Sequence, residues 1–267
     1  MPPVIGVFDS GFGGLTVLRE LLAVLPGADY LYFGDTARLP YGSKSAHTVA
    51  KYAISSAHFL QERGAEMLVI ACNTATALAL DEIKSSITLP VIGVVDPGAQ
   101  RAAEISRSRK AAVIATEATV ASHAYEKALR ACGIQSVEKA CPLLVPLVEE
   151  GWVDHPVTEQ VAHIYVDEVF GNGADGADVL VLGCTHYPLL RPLLRRVVPA
   201  QVQIVDSAES TAQAVAGFLN VPASGSAGAL PGTLHCYATD SVEKFRQLGG
   251  RFLGRLIENI ELIDIER

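Results

Sequence analysis

The sequence lacks a paired-cysteine motif. Its 267 residues include five cysteines, Cys72, Cys132, Cys141, Cys184 and Cys236. The number is odd and no C-x-x-C pair occurs, which argues against a disulfide framework, a zinc ribbon or a dithiol redox centre. In a reducing compartment all five are expected as free thiols. A long lysine or arginine block is also missing, and the net charge is −8. Nucleic-acid grooves normally show a basic stripe, so no nucleic-acid partner is expected; the short run "RSRK" (107–110) reads as a solvated helix end or loop. No apolar stretch reaches the ~18 residues of a membrane span, so no membrane partner is expected either. The N-terminus passes from "MPP" into "VIGVF" without a charged leader or cleavage site, and a cytoplasmic location is the expectation.

What the chain does have is apolar material. Hydrophobic residues make up 49% of it, enough for a sizeable core and too much for disorder. Domains commonly run ~100–200 residues, so one large domain or two small ones fit. Strands are expected at 4–10, 29–35, 67–72, 90–95, 111–116, 179–184 and 202–207, with a last one at "LHCYAT" (234–239). Amphipathic helical stretches lie between them. Continuous apolar runs suit parallel strands covered on both faces, and strand–helix alternation predicts an α/β fold with mostly parallel sheets.

A coarse internal repeat is visible. Cys72 closes one apolar run and Cys184 another, 112 residues on; Asp9 and Thr116 close two more, 107 residues apart. This predicts two related α/β halves. Crossings between them fit "VVDPGAQ" (94–100) and "VDSAEST" (205–211), and "NVPASGSAGALPG" (220–232) reads as an exposed loop.

Small or polar residues follow the strands, where ligands of open α/β sheets bind. For Ser10, Thr36 and Ser207 alone, helix capping is the better reading. The cysteines are different. In "VIACNTATALAL" (69–80) and "LVLGCTHYPLL" (180–190) a thiol stands where a strand feeds a helix. Main-chain N–H groups there can lower a thiol pKa from ~8.5 toward neutrality, giving a base or a nucleophile. Two such thiols facing each other could exchange a proton with opposite faces of one carbon, with no redox change. Asn73, Thr74 and Thr185 could donate to the charge that develops. Asp9 and His186 could tune their neighbouring thiols, although a turn or a cap explains either about as well. Cys132, Cys141 and Cys236 read as structural. The glycines of "DSGFGGLTV" depart from the dinucleotide fingerprint at Thr16, so a nicotinamide cofactor is disfavoured, while a substrate carboxylate at that helix start remains open.

The motifs "DSGFGGLTV", "LPYGSKS", "ACNTATA", "CPLLVPLVEEG" and "LGCTHYPLL", in this order and over nearly the whole chain, resemble the glutamate racemases, cofactor-independent members of the aspartate/glutamate racemase superfamily. The resemblance implies two pseudosymmetric α/β domains, 1–95 plus 208–267 and 96–207, with the active site in the cleft between them. It implies interconversion of L- and D-glutamate for peptidoglycan synthesis, by a homodimer, with neither pyridoxal phosphate nor metal. Cys72 and Cys184 would exchange protons with the α-carbon, assisted by Asp9 and His186 respectively. Ser10, Pro40, Tyr41, Gly42, Ser43, Asn73, Thr74, Thr116, Thr119, Glu149 and Thr185 would bind substrate. One departure is Ala115, where the family's Gly-Thr-x-x-Thr loop begins with glycine; another is Phe12, a position usually smaller and aliphatic. Aspartate or hydantoin racemisation, or a non-catalytic binding role on this scaffold, are the alternatives.

Overall fold

Runs without polar alternation become central strands in the computed structural model, which describes residues 2–171, 176–221 and 231–265. Most of the 220–232 stretch lies outside the described residues. The chain begins with β1 (Val4–Asp9), α1 (Leu15–Val24), β2 (Asp29–Gly34), α2 (Ala46–Glu62), β3 (Met67–Ile70), α3 (Asn73–Ser86) and β4 (Val91–Gly93). It continues through α4 (Val95–Ile105), β5 (Lys110–Ala115), α5 (Glu117–Ser122), α6 (Ala124–Ala131), β6 (Gln135–Ala140), α7 (Leu144–Glu149), α8 (Pro156–Gly171), β7 (Val179–Gly183), α9 (Arg191–Val197) and β8 (Gln203–Asp206). It ends with α10 (Ser207–Phe218), β9 (Leu234–Ala238), α11 (Val242–Leu253) and β10 (Ile260–Leu262). Every residue of β3 and of β7 is buried, as strands covered by helices on both faces must be.

Among the described residues the strands form two sheets, ordered β10-β9-β2-β1-β3-β4 and β6-β5-β7-β8. All pairings are parallel; Val7 stands between Tyr32 and Val69, and Val113 pairs with Val181. With β9 and β10 set aside, both sheets share one order: second, first, third, fourth. The repeat seen in the sequence therefore has a structural counterpart. Cys72 follows the third strand of one sheet and Cys184 the third strand of the other, while Asp9 ends one first strand and Thr116 follows its equivalent.

The halves share a continuous core. Leu18 and Leu21 of α1, Ala212 and Val215 of α10, and Leu180 and Leu182 of β7 belong to one buried cluster. Burying each large aliphatic side chain contributes about 1.5–3 kcal/mol. No helix among the described residues is long and apolar enough to cross a membrane.

Two strands carry no signal of the expected kind. β6 reads "QSVEKA" and pairs only at the edge of its sheet, where charged residues are tolerated and discourage further pairing. β10 is three residues long at one edge of the larger sheet. Strand ends also fall earlier than the apolar runs suggest, because β3 stops at Ile70 and Cys72 is already the N-cap of α3. The capping reading fails for Ser10, since α1 has no side-chain cap, and for Ser207, since Asp206 caps α10. Thr36 instead donates its hydroxyl proton to the Asp240 carbonyl.

Candidate active site

The carboxyl ends of the two sheets face a cavity of about 300 Å³. Of the residues singled out from sequence, Ser10, Pro40, Tyr41, Gly42, Ser43, Cys72, Asn73, Thr74, Thr116, Glu149, Cys184, Thr185 and His186 line it. Asp9 and Thr119 stand behind that lining, each fully buried. The cavity is also walled by Gly11, Phe12, Leu39, Glu117, Pro142, Val145, Pro146 and Glu150, which the sequence reading did not assign to it. Pro142, Val145 and Pro146 sit inside the quoted "CPLLVPLVEEG" motif; its two prolines bracketing an apolar turn were the available signal. The lining has three glutamates and, among the described residues, no lysine or arginine.

The two thiols have unlike surroundings. The Cys72 sulfur accepts the Ala75 N–H at 3.4 Å, as an N-cap does, and its thiol donates to the Ser10 hydroxyl at 3.5 Å. Burial, reinforced by the Asp9 carboxylate, pushes its pKa up to about 12. The sequence predicts the opposite shift. One N–H donor at a helix start does not offset the loss of water around a buried thiolate. Asp9 is itself shifted upward by burial, against the pull of His186 and the N–H groups of Gly11, Gly14 and Ser10. Its Oδ2 accepts the Gly11 N–H at 2.8 Å, and its Oδ1 is buried without a hydrogen-bond partner.

Cys184 does not open an α-helix. A turn through Thr185 and His186 leads to a short 3-10 segment, Tyr187–Leu190. In place of a helix start, Cys184 has an imidazole: His186 Nδ1 lies 3.9 Å from its sulfur. His186 Nε2 lies 3.2 Å from Glu149 Oε1, and the ring packs edge-on against Phe252, centroids 4.9 Å apart. Burial works against charge on this ring, yet contact with Cys184 and Glu149 prevails and carries its pKa up to about 10. Glu149 feels burial too, but its bond to His186 and the nearby Lys244 hold it below the usual carboxylate range. An imidazolium thus stands between a carboxylate and a thiol.

The polar wall is assembled from both halves. Thr74, Thr116 and Thr119 form a triangle of hydroxyls at 3.0, 3.2 and 2.9 Å. Ala115, in the family's glycine position, ends β5 in the core and leaves that triangle intact. Tyr125 donates to Asn73 Oδ1 at 2.6 Å, and Asn73 Nδ2 donates to the Ser207 hydroxyl at 3.5 Å. The glycine turn is used for close approach between halves: a Cβ on Gly13 would collide with Thr185 and His186. Thr16, where the nucleotide fingerprint fails, donates to the Gly13 and Thr185 carbonyls at 2.9 and 3.0 Å. The Tyr41 hydroxyl turns out of the cavity and donates to Asp35 at 2.5 Å. Among the described residues, the group best suited to hold a metal is His123, Glu126 and Glu138, and it contains no residue of this lining.

A family model described as Asp/Glu/Hydantoin racemase matches residues 5–215. The chain belongs to this family. As a racemase it is an isomerase. The chain is 59% identical to the glutamate racemase of Koribacter versatilis, with 98% of both chains covered. It superposes on the crystal structure of glutamate racemase isoform RacE1 from Bacillus anthracis with a TM-score of 0.91 and 35% identity, over 98% of this racemase and 97% of that chain. A glutamate racemase from Francisella tularensis, solved in complex with D-glutamate, gives 0.89 at 33% identity, over 99% and 98% of the two chains.

Proposed function

We propose that this chain racemises glutamate, with Cys72 and Cys184 as the two proton carriers. One observation carries the reading: the sulfurs that follow the equivalent third strands of two like-ordered sheets line a single cavity. The relatives named glutamate racemase make glutamate the substrate of choice.

In this reading the Cys184–His186 pair is the base side and Cys72 the acid side. Cys184, as thiolate beside an imidazolium, takes the α-proton; Cys72, held as a thiol, delivers its own proton to the opposite face of the same carbon. The reverse reaction starts with the proton on Cys184 and its removal from Cys72, and Asp9 acts on the Cys72 side. No electron or group is transferred, so neither pyridoxal phosphate nor a metal is needed. Negative charge building on the α-carboxylate is met by Asn73, Thr74 and Thr185, and an oriented donor of this sort is worth about 10²–10³ in rate. Ser10, Ser43, Thr116 and the Pro40–Gly42 turn hold the remainder of the substrate, with Thr119 behind Thr116. The two domains are 1–95 with 208–267, and 96–207. The enzyme works in the cytoplasm as a homodimer and supplies D-glutamate for peptidoglycan.

Circular dichroism with L- or D-glutamate, without added cofactor, tests the reading. Both enantiomers should reach the same end point and take up solvent deuterium at the α-carbon. Cys72→Ala and Cys184→Ala should each abolish turnover in both directions. Racemisation that survives either change, or a preference for aspartate measured side by side, sinks it. Light scattering checks the dimer.

A further inference from the structure

Asp35 is a buried carboxylate for which proton transfer has no use. It directly follows β2, and its side chain is fully out of solvent. Two hydroxyls and a guanidinium converge on it, two from the loop that follows it and one from beyond β9. The Tyr41 hydroxyl reaches Oδ2 at 2.5 Å, the Thr239 hydroxyl reaches Oδ1 at 3.0 Å, and the Arg38 guanidinium stands 3.6 Å from Oδ2. Its main-chain N–H donates to the Asp9 carbonyl at 3.1 Å, which fixes its backbone to the end of β1. Removing a carboxylate from water is costly unless it is well paired. A turn over residues 39–43 requires proline and glycine, not a buried acid.

What Asp35 holds is one wall of the cavity. Pro40, Tyr41, Gly42 and Ser43 all line it, and the Tyr41 hydroxyl is the part of this turn that faces away, into Asp35. The Tyr41 ring is packed from both sides, with centroids 6.2 Å from Phe8 and 6.0 Å from Tyr52. On the far side of the cavity Gly42 presses on Thr116, so closely that a Cβ would need Thr116 to give way. The turn is therefore clamped between an inner anchor, Asp35, and an outer stop, Thr116. Arg38 closes the back of this arrangement by lying 4.7 Å over the Tyr52 ring and donating to the Ile265 carbonyl at 2.8 Å.

We propose that Asp35 is a positioning residue for substrate binding: through the Tyr41 hydroxyl it presets the 40–43 turn in the shape that receives substrate. Because the turn is ordered before the substrate arrives, less binding free energy is lost in ordering it. The contact governs affinity, and the proton-transfer step depends on other groups. The proposal rests on the glutamate racemase reading above.

The test is steady-state racemisation of glutamate by the full chain and by Asp35→Asn, Tyr41→Phe and the double variant. Each single change should raise KM about tenfold, the scale of one lost hydrogen bond to a charged group. Asp35→Asn should leave kcat within about twofold, a split that general loosening of the fold would not produce. The double variant should be no worse than the weaker single, because both changes break one contact. A KM for Tyr41→Phe that matches wild type, or single effects that multiply in the double variant, would overturn the proposal. If Asp35→Asn does not fold, the Tyr41→Phe KM alone decides. A wild-type chain without glutamate turnover would instead bring down the functional reading, and this proposal with it.

Discussion

His186 Nδ1 lies 3.9 Å from the Cys184 sulfur, whereas the electrostatic neighbour of Cys72 is the Asp9 carboxylate. The strand positions of the two cysteines are equivalent, but their charge environments are opposed. The anion beside Cys72 adds to burial in suppressing its ionisation. In the proposed racemisation Cys72 is accordingly the thiol that would give its proton first.

The first expectation concerns alkaline pH. The His186 charge is retained to about pH 10, so kcat should hold through neutral and mildly alkaline pH and fall as pH rises through that value. His186→Gln should lower kcat by roughly 10²–10⁴-fold, the range of lost acid–base assistance, and should abolish that limb. Because the folded pKa lies above the ordinary 6.5, the stabilisation from this charge is complete below about pH 6.5 and is lost as pH rises through about 10. Profiles of kcat measured by circular dichroism decide it; an unchanged alkaline limb in His186→Gln counts against the assignment.

Gly13→Ala should spare the fold and damage the chemistry. The new methyl group would collide with Thr185 and His186, forcing the Cys184 turn to move. A displacement on the order of 1 Å at reacting groups can cost ~100-fold in rate. Thermal melts should show a much smaller change than kcat. Activity near wild type would mean that the turn has room the structure does not show.

Tyr125→Phe removes the donor that fixes Asn73 Oδ1. The Asn73 amide is then free to turn, and its remaining tie is the longer one to Ser207. A stability loss of about 1–3 kcal/mol is expected from the unsatisfied buried acceptor, together with a higher KM for glutamate. Urea melts and initial rates measure the two effects separately; if both match wild type, Asn73 is held by other contacts.

Asp178 should matter at neutral pH and cease to matter in acid. Its carboxylate accepts the hydroxyls of Ser106 and Ser108 and the N–H groups of Arg107 and Ser108, at 2.7–2.9 Å. Its modest burial raises the pKa, but these donors outweigh it and bring it to about 2. The folded value lies below the ordinary 3.8, so the stabilisation is present above about pH 4 and is lost as pH falls toward 2. Solvent screening at this partly exposed site keeps the effect of Asp178→Asn near 1 kcal/mol at neutral pH. The gap between variant and wild type in thermal melts should close in acid, and a gap independent of pH would assign the effect to packing.

The legible parts of the chain were those in which burial leaves a repeating mark. β3 and β7 are wholly buried, so their apolar runs stood out. β6 is invisible because an edge strand needs no continuous apolar run, and four of its six residues are polar or charged. The thiols were found because a cysteine at a strand end is chemically conspicuous. The direction of the Cys72 shift is not legible, because it depends on how completely the tertiary fold buries the sulfur. Asp35 is hidden for a similar reason: "FGDT" contains a polar residue at a strand end, but the turn that folds back onto it cannot be read from spacing. Ser10 shows the converse. Its place suggested a cap, and only the tertiary fold brings it to the Cys72 sulfur.

Among the described residues the cavity lining carries no lysine or arginine, and its imidazolium, His186, is already engaged by Glu149, which has a consequence for how the proposed reaction would hold and release glutamate. If glutamate is the substrate, hydroxyls and an amide would grip it by direction instead of by net charge, so added salt should weaken its binding little. A grip of that kind can be shared between two mirror-image occupants whose carboxylates stay in place while one hydrogen changes sides, and it lets either of them leave.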